Sequence, residues 1–472
     1  MTTQKLRVRF APAPTGMMHL GNIRTALMNY LMAQQKRGTF ILRIEDTDAE
    51  RNFDPNALKI QEDLTWLGLT FDEGPDKDGG HGPYFQSQRD AIYQKVLKTF
   101  IEKKHVYRCF CSNEDLEKKR QRQIALKQPP RYDKTCFKLS DEVSASRSHT
   151  DPFIWRMRLD PSLTLTITDL SHGPVTFELK NFSDFPITRQ DGSVTFMFAN
   201  FVDDVDMKVT CVIRGEDHLS NTAGQAALYY ALGAPLPTFW HMPILCNLDG
   251  SKLSKRDFGF SLRDLRFAGF LPGAILNYLA LIGASFEKEI MSLEELVQAI
   301  NFDAISSTGQ IKYDVEKLRW VNHKWIMLQS PDTLVQQCKP YLEEVFGKLP
   351  YADTQISQLL THVQPEMITL KDCIPLLSFV FHAPTTNADH LGSLTPTAGI
   401  AAIKDVLKQA VHAPDAATFF ATLKEVGKLK QIPTRELFSC VRYLLTGSAK
   451  GLGVGELLEL LDYATVKERL KA

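Results

Sequence analysis

Two short stretches hold residues that together could handle a triphosphate. The first, APAPTGMMHLGN from Ala11 to Asn22, follows the strand-like run LRVRFAPAP and leads into NIRTALMNYLMAQQK, which reads as a helix. A strand, a Gly-bearing turn and a helix start bring backbone N–H groups to face an anion. The second, DGSKLSKRDF from Asp249 to Phe258, is a polar loop after the apolar run WHMPILC, and it concentrates Lys252, Lys255 and Arg256. Taken singly, Pro-Thr-Gly turns and lysine-rich loops are ordinary connectors or solvated surface. As a pair in this order they describe a site for the phosphates of ATP.

On these residues the chain resembles a class I aminoacyl-tRNA synthetase. HLGN (His19 to Asn22) is similar to that class's first signature and KLSKR (Lys252 to Arg256) to its second. RIEDTD (Arg43 to Asp48), WLGLTFDEGP (Trp66 to Pro75), YFQSQR (Tyr84 to Arg89), VIRGEDH (Val212 to His218) and FLPGAILNYLALIG (Phe270 to Gly283) narrow the likeness to the bacterial-type glutamyl-tRNA synthetases. KLRWVNHKWI (Lys317 to Ile326) and VRYLLTGSAKGLGVGELLELL (Val441 to Leu461) extend it towards the C-terminus, with a looser match between them.

The resemblance implies a glutamate–tRNA ligase, which activates L-glutamate with ATP and transfers it to the 3′-terminal adenosine of tRNA(Glu), releasing AMP and pyrophosphate. It implies His19, Lys252 and Lys255 as catalytic residues, and Pro12, His19, Gly21, Asn22, Glu216, Lys252 and Lys255 around ATP. Mg²⁺ is expected to travel with the nucleotide, bridging its phosphates. Arg9, Ala11, Glu45, Phe196, Asn200 and Arg214 are implied around glutamate.

The chemistry suits those residue types. Glutamate presents one ammonium and two carboxylates, which call for a carboxylate acceptor and guanidinium forks. Ligands of open α/β sheets sit at the carboxyl ends of strands, where Arg9, Glu45 and Arg214 fall. Arg9 is expected on the γ-carboxylate, Glu45 on the ammonium and Arg214 on polar groups across the cleft. The alternative for each is an internal ion pair, such as Arg43 or Arg9 with Glu45. His19 at the helix entrance can donate to a phosphate oxygen, and Gly21 removes a Cβ from the nucleotide's approach. Glu216, Asp217 and His218 either frame the ATP side or cap the following helix.

Eight cysteines in a chain without a secretory leader fit a reducing, cytoplasmic setting. Cys211, Cys246, Cys338, Cys373 and Cys440 stand in apolar contexts, as small hydrophobes. Cys109, Cys111 and Cys136 differ, because CFC followed by PPRYDKTC gathers three thiols and a Tyr around one short excursion, and Zn²⁺ takes four such ligands. Some members of the family resembled carry structural zinc here with a His or Tyr as fourth ligand. Tyr132 is the matching Tyr, and Lys138 stands where some relatives place the His. A zinc site and three free thiols both remain open at this point.

These residues need a scaffold, and the pattern of runs supplies one. The fold class expected is an α/β Rossmann-type catalytic domain with a parallel sheet, interrupted by an inserted α+β domain and followed by an all-α helical bundle region. The catalytic domain is expected over 1–106 and 186–260, in two segments. LRVRFA, TFILRIE, TFMFANFVDD and KVTCVIRG carry its parallel character, with helices IRTALMNYLMAQQ, PNALKIQEDLTWLG and TAGQAALYYALG. Gly38 and Gly68 are read as helix stops. The inserted domain, 107–185, would guide the acceptor end of tRNA, with KKRQRQ (Lys118 to Gln123) either on phosphates or simply solvated. A stem-contact helical domain over 261–324 and an anticodon-binding helical domain over 325–472 complete the chain, with no strand block after Phe260.

Composition only bounds the problem. The chain has 472 residues, 44% hydrophobic and 23% charged, with zero formal net charge, so tRNA must be held by local basic patches. No apolar run reaches the roughly 20 residues of a membrane span. A monomer is the family's default.

Three departures from the family pattern stand out. Ala13 replaces a usual Ser, and Phe196 replaces a Tyr that lines the glutamate pocket in relatives. Glu366 stands where some relatives place an Arg that reads the last anticodon base, which leaves charging of tRNA(Gln) open. The competing readings are a glutaminyl-tRNA synthetase, a relaxed enzyme that also charges tRNA(Gln) with glutamate, and a non-catalytic tRNA-binding paralogue. The first carries β-barrels after its catalytic half and has no need of Arg9; the last would have shed His19, Lys252 and Lys255.

Overall fold

Strand β1 (Arg7–Phe10) buries Val8 and Phe10 and pairs in parallel with β2 (Thr39–Leu42), Arg9 opposite Ile41. Every residue of β2 is buried, as expected of a parallel strand covered on both faces. The crossover is helix α1 (Leu20–Gln35), capped by His19. The computed structural model describes residues 5–14, 16–47, 52–251, 253–254, 257–282, 284–302 and 310–471. It divides into two units, residues 1–264 with 275–315 and residues 265–274 with 316–472.

The end of α1 departs from expectation. The chain leaves the helix through Lys36 and Arg37, and Arg37 takes the left-handed conformation (φ 51°) expected of Gly38. Gly38 serves a different need: a Cβ there would lie 2.8 Å from the Leu6 carbonyl oxygen, too close for the strand to pass. Helix α2 (Leu58–Leu67) does stop at Gly68, at φ 77°. Helix α3 (Asp90–Glu102) then leads into the inserted segment.

That segment pairs β3 (Val106–Cys109) antiparallel with β4 (Ile154–Met157) and carries helices α4 (Asn113–Ala125) and α5 (Asp141–Arg147) between them. The hairpin of β5 (Thr164–Asp169) and β6 (Gly173–Glu178) follows. Helix α6 (Phe196–Asp206), strand β7 (Cys211–Gly215), helix α7 (Leu219–Leu232) and strand β8 (Thr238–Met242) return to the catalytic fold. β7 and β8 are parallel, and β5 joins β8 in parallel at Asp169, so one sheet runs β6, β5, β8, β7. The inserted hairpin and the catalytic strands therefore share hydrogen bonds. β1 reaches the same region, because the Thr210 amide donates to the Arg7 carbonyl at 3.0 Å.

Helix α6 corrects the expectation of extended structure for TFMFANFVDD. A short run of Phe, Met and Val is ambiguous between strand and buried helix. The helical form buries Phe198, Phe201 and Val202 against Phe100 and Tyr229. It also aligns Phe196, Asn200 and Asp204 at intervals of one turn on a single face.

Beyond Phe260 come the helices α8 (Leu262–Phe267), α9 (Pro272–Leu281) and α10 (Leu293–Ala299). One short ladder interrupts the helices, β9 (Leu245–Cys246) pairing in parallel with β10 (Ile311–Lys312). The second unit is helical from Val315–Met327 to Tyr463–Leu470, around a core that includes Phe419, Leu423, Cys440 and Leu457. No helix among the described residues is long and apolar enough to cross a membrane.

Candidate active site

A cleft of about 480 Å³ opens at the carboxyl ends of β1, β2 and β7, in the first unit. Arg9, Ala11, Pro12, His19, Gly21, Asn22, Glu45, Phe196, Asn200 and Arg214, all singled out by sequence, line it. Glu216 does not; its Oε1 accepts a 3.4 Å hydrogen bond from the Ile244 amide instead, while Asp217 and His218 beside it do face the cleft. Lys252 and Lys255 lie outside the described residues.

At the nucleotide end, His19 does two things at once. Its Nδ1 accepts from the Asn22 amide at 3.3 Å, and Asn22 Oδ1 accepts from the His19 amide, closing a reciprocal cap on α1. With Nδ1 accepting, the proton of a neutral imidazole sits on Nε2, and the ring stacks on Phe260 at 5.2 Å. A Cβ on Gly21 would come within 3.0 Å of the His19 ring. Gly21 thus makes room for the histidine itself, a more specific reason for the glycine than space for the nucleotide.

The amino-acid end is a buried charge network. Arg9 Nε donates to Asp204 Oδ1 at 3.1 Å, and Arg9 Nη1 to the Ile213 carbonyl at 3.3 Å. Arg43, fully buried, donates to the same Asp204 oxygen at 2.6 Å and to Glu45 Oε1 at 3.4 Å. Asn200 Nδ2 donates to Glu45 Oε1 at 2.5 Å and accepts through Oδ1 from Gln225 Nε2 at 3.1 Å. Both sequence readings of Glu45 therefore hold geometrically: it has an internal partner in Arg43 and it faces the cleft.

The charges settle accordingly. Burial pushes the Glu45 carboxyl above its usual range, against the pull of Arg43 and Arg9. Burial alone would also raise Asp204, but Arg9 and Arg43 bring it below its ordinary value. Burial would lower the Arg43 guanidinium, yet Asp204, Asp203 and Glu45 together raise it. Burial, and Arg9 close by, bring Arg214 down to about 10, so it stays charged at neutral pH.

Several of these partners were not singled out by sequence. Asp203 and Asp204 sit in the misassigned α6 segment; Asp203 takes Arg89 at 2.6 Å and Tyr93 at 3.1 Å. The signal for Asp204 was its four-residue spacing from Asn200 and Phe196; Asp203 carried none. Thr222, Gln225 and His241, which surround Arg214, carry no motif at all.

A second constellation lies in the inserted segment. The Cys109, Cys111 and Cys136 sulfurs lie within 4.8 Å of one another. Tyr132 Oη is 3.4 Å from Cys109 Sγ and 3.8 Å from Cys111 Sγ, and Cys111 Sγ is 3.6 Å from Cys136 Sγ. With Zn–S bonds near 2.3 Å, tetrahedral thiolates stand about 3.8 Å apart, so three sulfurs gathered within 4.8 Å beside a phenol are a donor set of the size and chemistry that Zn²⁺ takes. β3 delivers Cys109, and Cys136 sits in a short turn after Lys134, whose φ is 57°. The other five cysteines are buried and form no disulfide, as expected.

The catalytic-domain description "tRNA synthetases class I (E and Q)" matches residues 5–320, and an anticodon binding domain matches 333–472. A glutamate–tRNA ligase of Sulfurihydrogenibium sp. is 37% identical over 98% of this chain and 98% of its own length. The chain belongs to the glutamate–tRNA ligase family of class I tRNA synthetases. Glutamate–tRNA ligase 2 of Nitrosococcus oceani is also 37% identical, over 100% of this chain and 98% of its own. Among solved structures, a glutamate tRNA ligase from Elizabethkingia meningosepticum, crystallised with its amino acid, superposes with a TM-score of 0.89 at 28% identity, covering 99% of both chains.

As a member of this ATP-dependent family, the chain presents two surfaces flagged by its sequence. Helix α4 buries none of its residues, but Lys118 pairs with Glu114, Lys119 with Asp133 and Arg120 with Glu117, so most of the KKRQRQ charge is already partnered locally. Glu366 ends a short turn in the second unit and is exposed.

Proposed function

We propose that this chain is a glutamate–tRNA ligase acting at the cleft described above. The observation that carries the reading is that one acceptor, Glu45, and two guanidinium groups, Arg9 and Arg214, line one cavity beside the His19 end of α1. An L-glutamate with its ammonium on Glu45 and a carboxylate on each Arg satisfies every charge it carries. Arg9 takes the γ-carboxylate and Arg214 the α end, while Asn200 holds Glu45 in place.

ATP enters along Pro12, Gly21 and Asn22. The glutamate α-carboxylate attacks the α-phosphorus, a bond to oxygen forms there, and pyrophosphate leaves. Catalysis is positioning and charge neutralisation, with His19 Nε2–H donating to a phosphate oxygen and Lys252 and Lys255 supplying positive charge. Mg²⁺ bound with ATP would offset phosphate charge. The adenylate then yields its glutamyl group to the 2′-hydroxyl of the terminal adenosine of tRNA(Glu). A Zn²⁺ held by Cys109, Cys111, Cys136 and Tyr132 would staple the inserted segment that guides this acceptor end.

The test is ATP–pyrophosphate exchange with glutamate or glutamine, each with and without tRNA(Glu). The reading expects exchange with glutamate only when tRNA is present. Exchange driven by glutamine, or none with either amino acid, would contradict it.

A further inference from the structure

Arg214 is held from behind by three residues of two elements, Thr222 and Gln225 of α7 and His241 of β8. Its Nη2 donates to Thr222 Oγ1 and to Gln225 Oε1, both at 2.6 Å, and its Nε points at His241 Nε2 at 3.4 Å. Arg214 and His241 are direct neighbours across the β7–β8 ladder. Thr222 Oγ1 is also 2.8 Å from His241 Nε2. Among the described residues nothing accepts from Arg214 Nη1, which leaves that edge of the guanidinium for the cleft.

The proton positions follow from the partners. His241 Nδ1 lies 2.6 Å from Asp169 Oδ2, a carboxylate oxygen with no proton to give, so Nδ1 carries the hydrogen. His241 Nε2 faces Arg214 Nε–H, which can only donate, so it is bare; the single Thr222 hydroxyl proton lies between this nitrogen, at 2.8 Å, and the His218 carbonyl, at 3.1 Å. The opposite tautomer would aim an N–H at a guanidinium. The ring has no freedom to turn away, since it is fully buried and stacks on Phe239 with planes 9° apart and centroids 5.7 Å apart. Asp169 is fixed in turn. Its Oδ2 also accepts from the His241 amide at 3.1 Å, and its Oδ1 accepts from the Ser171 and His172 amides and meets His172 Nδ1 at 3.0 Å.

We propose that Asp169 and His241 are positioning residues for glutamate, fixing one imidazole tautomer so that His241 and Thr222 together lock Arg214 with its Nη1 edge turned to the substrate. Asp169 ends β5 of the inserted hairpin, so the segment that meets tRNA and the pocket that reads glutamate share this chain of hydrogen bonds. The arrangement follows the logic by which an outer carboxylate sets the tautomer and aim of a working histidine. Burial and the Arg214 charge lower the His241 pKa, in keeping with a neutral ring.

The proposal rests on reading Arg214 as a glutamate contact, and the experiment separates the two. The full-length enzyme is assayed for glutamate and ATP KM as wild type, Thr222→Val, Thr222→Ser, Asp169→Asn and Arg214→Lys, with Tm measured for each. The ¹⁵N resonances of His241 report its tautomer in the wild type. Expected are a protonated Nδ1 with a bare Nε2 and a glutamate KM raised about tenfold in Thr222→Val and in Asp169→Asn. ATP KM should be unchanged, and Thr222→Ser should restore the glutamate KM. Should Asp169→Asn fail to fold, Thr222→Val and the resonances decide alone. A protonated Nε2, or an unaltered glutamate KM in folded Thr222→Val while Arg214→Lys raises it, overturns the relay. An unaltered KM in Arg214→Lys sinks the reading of Arg214, and the relay's function with it.

Discussion

Asn200 Nδ2 stands 2.5 Å from Glu45 Oε1, a hydrogen bond between residues 155 apart in sequence that joins the two halves of the catalytic fold at the point where an ammonium would bind. It leaves Glu45 anchored from one side and accessible from the other. Arg43 reaches the same oxygen at 3.4 Å, so the carboxylate is prepaid with one positive neighbour before a substrate arrives.

The folded pKa of Glu45 lies above its ordinary 4.5, so the protonated form is favoured by folding. Its contribution to stability is present below the unfolded value and is lost as pH rises through the folded one. Ammonium binding runs the other way, because it needs the ionised form. The glutamate KM should therefore climb on acidification at a pH above 4.5, while ATP KM does not follow. Glu45→Gln should raise the glutamate KM at neutral pH, about tenfold or more, flatten that profile, and leave Tm unchanged or higher. A profile identical to wild type would remove Glu45 from the ammonium site.

Asp204 serves two guanidinium groups, Arg9 and Arg43, and is 4% exposed. Asp204→Asn leaves both short of a buried counter-charge, which costs about 3–5 kcal/mol. Because Asp204 is depressed below its usual pKa, its contribution is present above the unfolded value and is lost as pH falls through the folded one. Calorimetry should show a lower Tm at neutral pH, with the gap between wild type and variant narrowing in acid. A neutral-pH Tm equal to wild type would show that the pair adds nothing to the fold.

How much of this was legible in the sequence depended on whether the signal was local. The strand, turn and helix around His19 were readable because a cap and its helix are adjacent in the chain. Arg9, Glu45, Asn200 and Arg214 were readable through motif likeness, and the cleft does gather them. Helix α6 was not, since its apolar run suits either conformation and its decisive partners, Arg9, Arg43 and Arg89, lie more than one hundred residues away. The Asp169–His241 contact spans 72 positions between two strands, with nothing at either end to mark it. Gly38 was misread because a glycine after a helix has two uses, a left-handed stop or a close approach, and only the Leu6 carbonyl decides between them.

The sulfur cluster yields a metal prediction. Protein made in zinc-replete medium should carry one zinc per chain by elemental analysis, and a chelator should lower Tm. Cys111→Ser should lose most of the metal. Zinc content in that variant equal to wild type would show that Cys111 is not a ligand, and a metal-free wild type unaffected by added zinc would leave three free thiols.

Phe196 lines the cleft with its ring 6.1 Å from His218. Phe196→Tyr adds the hydroxyl that the family resemblance implies at this position, and one neutral hydrogen bond is worth about 0.5–1.5 kcal/mol. The glutamate KM should fall by about two- to tenfold, with ATP KM constant. An unchanged or higher KM would mean that the pocket has adapted to the phenyl ring.

The most direct test of the account is charging of separately purified tRNA(Glu) and tRNA(Gln) with labelled glutamate and, in parallel, labelled glutamine, in the presence of ATP and Mg²⁺. The account predicts glutamyl-tRNA(Glu) and no glutaminyl product on either tRNA, because Arg9 and Arg214 demand two carboxylates. Glutamate on tRNA(Gln) as well would mark a relaxed enzyme in which exposed Glu366 fails to discriminate. Glutamine charging, or no product from folded enzyme, would contradict the account.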